Sequence, residues 1–310
     1  MQAKQEKMQL GIGEKFLLSY MVIYALAPIL ANYTAKNFRP ILVAAVTTLI
    51  TAIALFFILA ATRRLREIFN AKAFGPIFGN TMFNIVVPLA LIFVGTSKTS
   101  AINTTLLHQT ELFFAFLISG LFYGETITRQ KIVGGTIVLL GTIAVLYNGT
   151  FELRLGDLLI IAGTALYPFG NHYAKQALLL AQPSIVLFLR TIIGGIMLLV
   201  ISFILEGWPQ EAFLAKAFLA IDQKQLALFA GLILGLLGIA KLLWFEGLKR
   251  LDVSKSTAIV IAGPAFSLVY AVALLHEIPT LYQLAGMLII IAGLFILIKQ
   301  KVETPASSPL

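Results

Sequence analysis

Between Phe16 and Ile298 the chain runs through ten stretches of mostly apolar residues, and the links between them leave no room for a separate soluble domain. About twenty such residues, wound as a helix, cross the ~30 Å of a bilayer's hydrocarbon core. Water does not reach the backbone there, so the peptide groups of each stretch must satisfy one another along a helix. The sequence therefore predicts an all-α integral membrane protein of ten transmembrane helices, at 16–35, 40–60, 74–95, 99–122, 130–147, 157–177, 183–205, 226–247, 254–275 and 280–298. Composition agrees. With 59% hydrophobic and 12% charged residues and a mean hydropathy of +0.93, there is too little polar residue to cover a soluble globule. The longest link, 206–225, sets charges around the mostly apolar run Ala212–Ala220 and is expected to hold a short interfacial helix. Residues 1–15 are polar and basic, as before a secretory signal, but the apolar run that follows is long for a signal core and shows no small-residue cleavage site. A retained first helix is expected.

In a soluble chain a net charge of +9 would raise nucleic acid as a partner, but in a membrane chain it is first sorted by side. In the ten-helix arrangement fifteen Lys and Arg fall on one side and six on the other, with Arg190 and Lys241 inside spans completing the 23. The richer side is the one holding both termini, which places them in the cytoplasm of a cell (inner) membrane protein. Nucleic acid is not expected as a partner. The chain has no cysteine, which removes disulfides, thiolate metal sites and thiol catalysis.

The chain also repeats itself. A shift of 152 positions aligns Gly95 with Gly247, Thr105 with Thr257, Glu125 with Glu277, Thr128 with Thr280, Gly134 with Gly286 and Gly141 with Gly293. A shift of 140 aligns Ala25-Leu26-x-Pro28-x4-Tyr33 with Ala165-Leu166-x-Pro168-x4-Tyr173. One register that matches a Glu, two Thr and three Gly pairs marks a duplicated unit. The halves are 1–150 and 151–310, each with five spans. An odd number of spans forces the second half to enter from the opposite side, so the repeats are inverted. Inverted repeats with mid-helix prolines point to transport, because broken helices free backbone groups near the midplane and the halves can rock to alternate access.

The run Gly124-Glu125-x2-Thr128-x-Gln130-x3-Gly134-x6-Gly141 and its partner Glu277-x2-Thr280-x2-Gln283-x2-Gly286-x6-Gly293 resemble the two hairpins of the drug/metabolite transporter superfamily, EamA type. Gly263-Pro264 and Gly156-Asp157 resemble that family too, and the likeness covers residues 14–298. It departs from the pattern at Leu112, where the second half has Pro264, and at Ile50, where the second half has Arg190. The resemblance implies a transporter, not an enzyme, that exports amino acids or similar compounds without a cofactor.

Several polar residues stand inside spans. His108, Gln109 and Glu111 lie near the middle of the fourth, and their repeat partners Val260, Ile261 and Gly263 are not charged, so the duplication did not require polarity there. A charge at mid-bilayer costs at least ~2.5 kcal/mol and usually faces a cavity or a partner. His108 and Glu111 share a helix face, and Glu111 is a candidate to bind a cationic group or carry a proton. The bland alternative is a structural pair locking helices, with each other or with Lys241 or Arg190. Asn80 and Asn84 are four apart on one face, suited either to ligand hydrogen bonds or to joining helices. Asn32 and Tyr33, with Asn171, His172 and Tyr173, follow prolines and suit a cavity wall or gate. Lys241, near Trp244, and Arg190 could together hold a phosphate or carboxylate, although Arg190 lies close enough to the inner surface to snorkel there. Glu125 and Glu277 are read as structural caps of the hairpin helices. Asn148-Gly149-Thr150 is a formal glycosylation sequon, a weak pattern.

The expected function is thus secondary active transport of a small polar metabolite across the lipid bilayer by a monomer or homodimer. No G-x4-G-K-[ST] loop is present to use ATP, and protons are the candidate coupling ion. The first alternative is an exchanger of organic anions or phosphorylated metabolites using Lys241 and Arg190. An intramembrane enzyme built on His108 and Glu111, with no further metal ligands to point to, and a polytopic scaffold complete the list. Neither of the last two explains the duplication.

Overall fold

The computed structural model describes residues 11–69, 71–122, 128–147, 154–207, 223–248, 250, 259–260 and 262–298. All the regular structure among them is helical. In chain order the helices are α1 (Ile12–Tyr24), α2 (Ala27–Asn37), α3 (Pro40–Ala61), α4 (Ala71–Thr81), α5 (Val87–Thr96), α6 (Ala101–His108), α7 (Thr110–Phe122) and α8 (Arg129–Tyr147). They continue as α9 (Leu155–Thr164), α10 (Tyr167–Leu180), α11 (Pro183–Leu205), α12 (Gln223–Leu237), α13 (Lys241–Leu248), α14 (Gly263–Leu275) and α15 (Leu281–Ile298). A π turn, Met82–Val86, joins α4 to α5, and a 3-10 turn, Gly238–Ala240, joins α12 to α13. A further 3-10 turn, Leu65–Phe69, follows α3, where Arg64 grips the Glu67 carboxylate at 2.9 and 3.1 Å and holds it below the usual carboxylate range.

Among the described residues six stretches are long and apolar enough to cross a membrane: Ile12–Asn37, Pro40–Ala61, Lys72–Thr96, Ala101–Phe122, Arg129–Tyr147 and Pro183–Leu205. Shorter apolar helices cover Ala230–Trp244, Gly263–Leu275 and Leu281–Leu297. The protein is a multi-pass membrane protein. Helix starts follow local chemistry. Pro40 and Pro183 sit at the first turns of α3 and α11, where a missing N–H is harmless, and Ser100 accepts from the Asn103 N–H to cap α6 at 3.0 Å.

The closest packing follows the repeated glycines. Helices α8 and α15 lie side by side, as do α3 with α11, α5 with α9, α4 with α10, and α1 with α13. A Cβ on Gly134 would come within 2.9 Å of the Gly293 carbonyl, and one on Gly293 within 2.8 Å of the Gly134 carbonyl. Gly141 and Gly286 oppose each other in the same way, at 2.8 Å in both directions. Any side chain at these four positions would push the helices apart, which is how small residues permit close packing in lipid. A third reciprocal pair joins Gly95 of α5 to Gly156 of α9, at 2.7 and 2.6 Å.

One expectation needs adjustment. The Glu277 carboxylate does not cap its own hairpin helix. It accepts from the N–H groups of Ala101 and Ile102, both at 3.2 Å, at the start of α6, and lies 3.7 Å from Lys36. An analogous cap is formed by Glu206, which accepts from Ile41 and Leu42 N–H at 2.9 and 3.0 Å and from the Ser202 hydroxyl. Glu125, the Asn148-Gly149-Thr150 sequon and the run 212–220 expected as an interfacial helix lie outside the described residues.

Candidate functional site

Five helix pairs, α1–α2, α4–α5, α6–α7, α9–α10 and α12–α13, are separated only by short breaks, and the breaks gather the polar side chains. Helix α1 stops at Tyr24 and α2 begins at Ala27, with Pro28 in the first turn of the new helix. Helix α9 stops at Thr164 and α10 begins at Tyr167, with Pro168 in the same place. Helices α6 and α7 break at Gln109 with no proline nearby, whereas the repeat partner of that break carries Pro264 at the start of α14. The remaining two interruptions are the π turn Met82–Val86 and the 3-10 turn Gly238–Ala240. Each frees backbone carbonyls that a continuous helix would use.

Some of these groups are answered by neighbouring helices, which fixes the breaks. Ser267 of α14 donates to the Ala25 carbonyl at 2.7 Å, and the Tyr270 hydroxyl donates to Val22 O at 3.2 Å. The hydroxyls of Thr110 and Thr164, one at each of two breaks, lie 2.8 Å apart. Thr51 donates to the Gly235 carbonyl at 2.6 Å, and its side chain fills the space where Gly238 has no Cβ.

Around the breaks stand Glu111, His108, Asn84, Asn171, Arg190, Lys241 and three tyrosines. Glu111 lies in the first turn of α7, where the helix dipole favours a carboxylate. Asn171 Nδ2 donates to Glu111 Oε1 at 3.5 Å, while Asn84 Nδ2, carried on the π turn, donates to Asn171 Oδ1 at 3.1 Å. Asn171 is exposed and Glu111 half-buried. The His108 ring lies 6.1 Å from that of Tyr167. Lys241 extends its ammonium over the Tyr24 ring at 5.6 Å, within electrostatic reach of both Glu111 and His108. Tyr24 stacks on Tyr20 at 5.1 Å, and Tyr20 meets Trp244 at 5.7 Å. Arg190 lies within electrostatic reach of Tyr20, Tyr24 and Tyr167 and donates from Nη1 to Asn80 Oδ1 at 3.3 Å.

The structure thus brings together His108, Glu111, Asn84, Asn171, Lys241 and Trp244, and sorts the other sequence candidates. Gln109 is the break itself, its amide donating to Thr105 O at 3.3 Å. Asn80 is fully buried between Arg190 and the Gly170 carbonyl, to which it donates at 2.8 Å, a clamp between α4 and α10. His172 turns toward Gln176 at 3.0 Å and the edge of Tyr173. Tyr33 is half-buried about two turns beyond the α1–α2 break, nearer the Asn37 end of α2. Its neighbour Asn32 is no gate: it is fully buried and donates to Thr96 O at 2.7 Å and Thr99 O at 3.0 Å. Arg190 is turned inward to Asn80, with its Nε buried, rather than snorkelling. Tyr20, Tyr24 and Tyr167 are members of the cluster that the sequence reading passed over. The available signal was their place beside the breaks, Tyr20 and Tyr24 in the turns just before one and Tyr167 directly before Pro168 at the start of α10.

Fold and cluster together define a helical membrane protein with charges held at coincident helix breaks. The model of the EamA-like transporter family matches residues 11–147 and again 154–299. The chain belongs to the EamA-like transporter family. An uncharacterized transporter of Methanothermobacter thermautotrophicus is 22% identical over 91% of this chain and 84% of its own length. The uncharacterized transporter YoaV of Bacillus subtilis is 23% identical over 93% and 96%. A probable amino-acid metabolite efflux pump of Salmonella typhimurium is 24% identical over 62% of this chain and 65% of its own. A solved crystal structure superposes with a TM-score of 0.64 at 17% identity, covering 92% of this chain and 95% of its own, and shares the fold.

Proposed function

We infer that this protein is a secondary active transporter that exports small polar metabolites such as amino acids by alternating access. It would use ten spans arranged as two inverted five-helix halves, residues 1–150 and 151–310. The observation that carries the reading is the exposed Asn171, bonded to Glu111 and Asn84 at the level of the helix breaks. An accessible carboxylate and two amides have no place against lipid tails, where they would lack partners, and fit a water-lined passage.

Packing supports the inverted halves. Exchanging each helix for its repeat partner turns the α8–α15 and α3–α11 contacts into themselves and the α5–α9 contact into that of α13 with α1. The reciprocal Gly134–Gly293 and Gly141–Gly286 contacts exchange in the same way. A two-fold axis in the membrane plane leaves this pattern. The family model's two matches, one to each half, agree with it. The printed name of the Salmonella typhimurium relative favours amino-acid metabolites as cargo. With both termini in the cytoplasm of the cell membrane, the end of the bundle that holds Asp157 would face outward, and Glu111 would be the residue that meets a substrate ammonium or a coupling proton.

The test is counterflow of radiolabelled amino acids into proteoliposomes preloaded with the unlabelled compound. Accumulation by the wild type, reduced at least about tenfold in Glu111→Gln, is the expected result. Full activity of Glu111→Gln with an unchanged pH profile would remove Glu111 from the site.

A further inference from the structure

The mid-span cluster carries more positive charge than negative. Among the described residues at the helix breaks there are two cations, Arg190 and Lys241, and one carboxylate, Glu111. Lys241 already has that carboxylate within electrostatic reach and a tyrosine face beneath it. Among the described residues Arg190 has no ion pair with an acid. Its Nη1 is spent on Asn80 Oδ1, and its Nε is buried with no acceptor.

A guanidinium offers two planar edges of N–H donors, and its side-on edge, Nε with Nη2, matches the two oxygens of a carboxylate. Asn80 holds Nη1, on the opposite side of the fork, so the clamp orients the side chain without blocking that edge. Leaving a buried charged donor unanswered is costly, and intramembrane cations are kept where they meet a partner or a passing substrate. Arg190 stands where the first half has Ile50, so neither the duplication nor the packing of α3 against α11 demands it. Helix α10 packs against both α11, which carries Arg190, and α7, which carries Glu111.

We propose that Arg190 is the anion subsite of the transport site, taking the carboxylate of the substrate, or an oxyanion of like shape, on its Nε–Nη2 edge. The proposal rests on the transporter reading above and narrows its substrates to compounds that present such a group. It gives the two ends of an amino acid separate receptors, with Arg190 for the carboxylate and Glu111 for the ammonium.

The experiment measures thermal stabilisation of the purified full-length protein by each of the twenty standard amino acids, by their methyl esters, which keep the amine and mask the carboxylate, and by inorganic phosphate. The expected result is stabilisation by one or more acids, at least tenfold weaker binding of the matching ester, and a comparable loss for the acid in Arg190→Gln. Arg190→Lys, which keeps the charge but not the fork, should bind the acid more weakly than wild type while melting at the wild-type temperature. Equal binding of acid and ester, or unchanged acid binding by Arg190→Lys and Arg190→Gln, overturns the proposal. Stabilisation by phosphate but by no amino acid, lost in Arg190→Gln, keeps the anion subsite and overturns the amino-acid reading instead. Stabilisation by no anion overturns the subsite.

Discussion

Two polar regions lie inside this apolar bundle, and they are built on opposite principles. At the end that holds Asp157, partners are dense. Asp157 accepts from Thr99 at 2.6 Å and Asn103 at 3.3 Å, Asn103 accepts from Gln283 at 2.8 Å, and Glu277 caps α6. These residues tie α6, α9 and α15 and the turn after α5 together where their ends meet. In the middle of the bundle it is the charged groups that have fewer partners: Glu111 has Asn171 at 3.5 Å, Arg190 has Asn80 at 3.3 Å, and the Arg190 Nε has no acceptor among the described residues. Polarity that stabilises a membrane protein is closely paired, whereas polarity meant for a passing ligand must keep capacity in reserve.

Four perturbations sharpen or break that contrast. The largest loss of stability is expected from Asp157→Ala, which orphans donors on Thr99 and Asn103. It should destabilise the protein by about 3 kcal/mol in a reversible SDS titration and leave substrate affinity in the surviving fold intact. Glu111→Gln should do the reverse, reducing counterflow at least about tenfold, roughly 1.4 kcal/mol, while the melting temperature hardly moves. If the two variants trade effects, the division between the regions is wrong. Gln283→Met should cost about 1 kcal/mol, and a cycle with Asn103→Leu should be clearly non-additive, because the two share one hydrogen bond. The smallest effect belongs to Lys36→Ala. Its pair with Glu277 is 3.7 Å long and 40% exposed on the lysine side, so less than about 0.5 kcal/mol is expected, since the cap on α6 survives without it.

Much of this could be read in the sequence because it rests on local chemistry. Twenty apolar residues dictate a membrane helix, the repeated glycines mark the α8–α15 seam, and Pro28 and Pro168 mark two of the breaks. The break at Gln109 has no proline and was visible only through its partner at Pro264. The site was half legible. Glu111, His108 and Lys241 are conspicuous because charge is rare in lipid, but Tyr20, Tyr24 and Tyr167 were not, since a tyrosine in an apolar helix suits an interfacial belt equally well. Asn32 was misread for a related reason: a polar side chain after a proline looks alike in sequence whether it lines a passage or reaches across to the Thr96 and Thr99 carbonyls. Glu277 likewise reads as a cap, but which helix it caps is a tertiary fact.

The central claim is that the mid-span cluster faces a passage open to water and substrate. Because the chain has no cysteine, Asn171→Cys alone offers a single reporter at that point. The measurement is its rate of modification, in membranes, by a small charged methanethiosulfonate reagent, with and without a substrate found by counterflow. Modification is expected at a rate well above that of a cysteine placed at the exposed apolar position Val200, slowed by substrate. No modification, or modification that substrate leaves unchanged, would place Asn171 outside the path and contradict the claim.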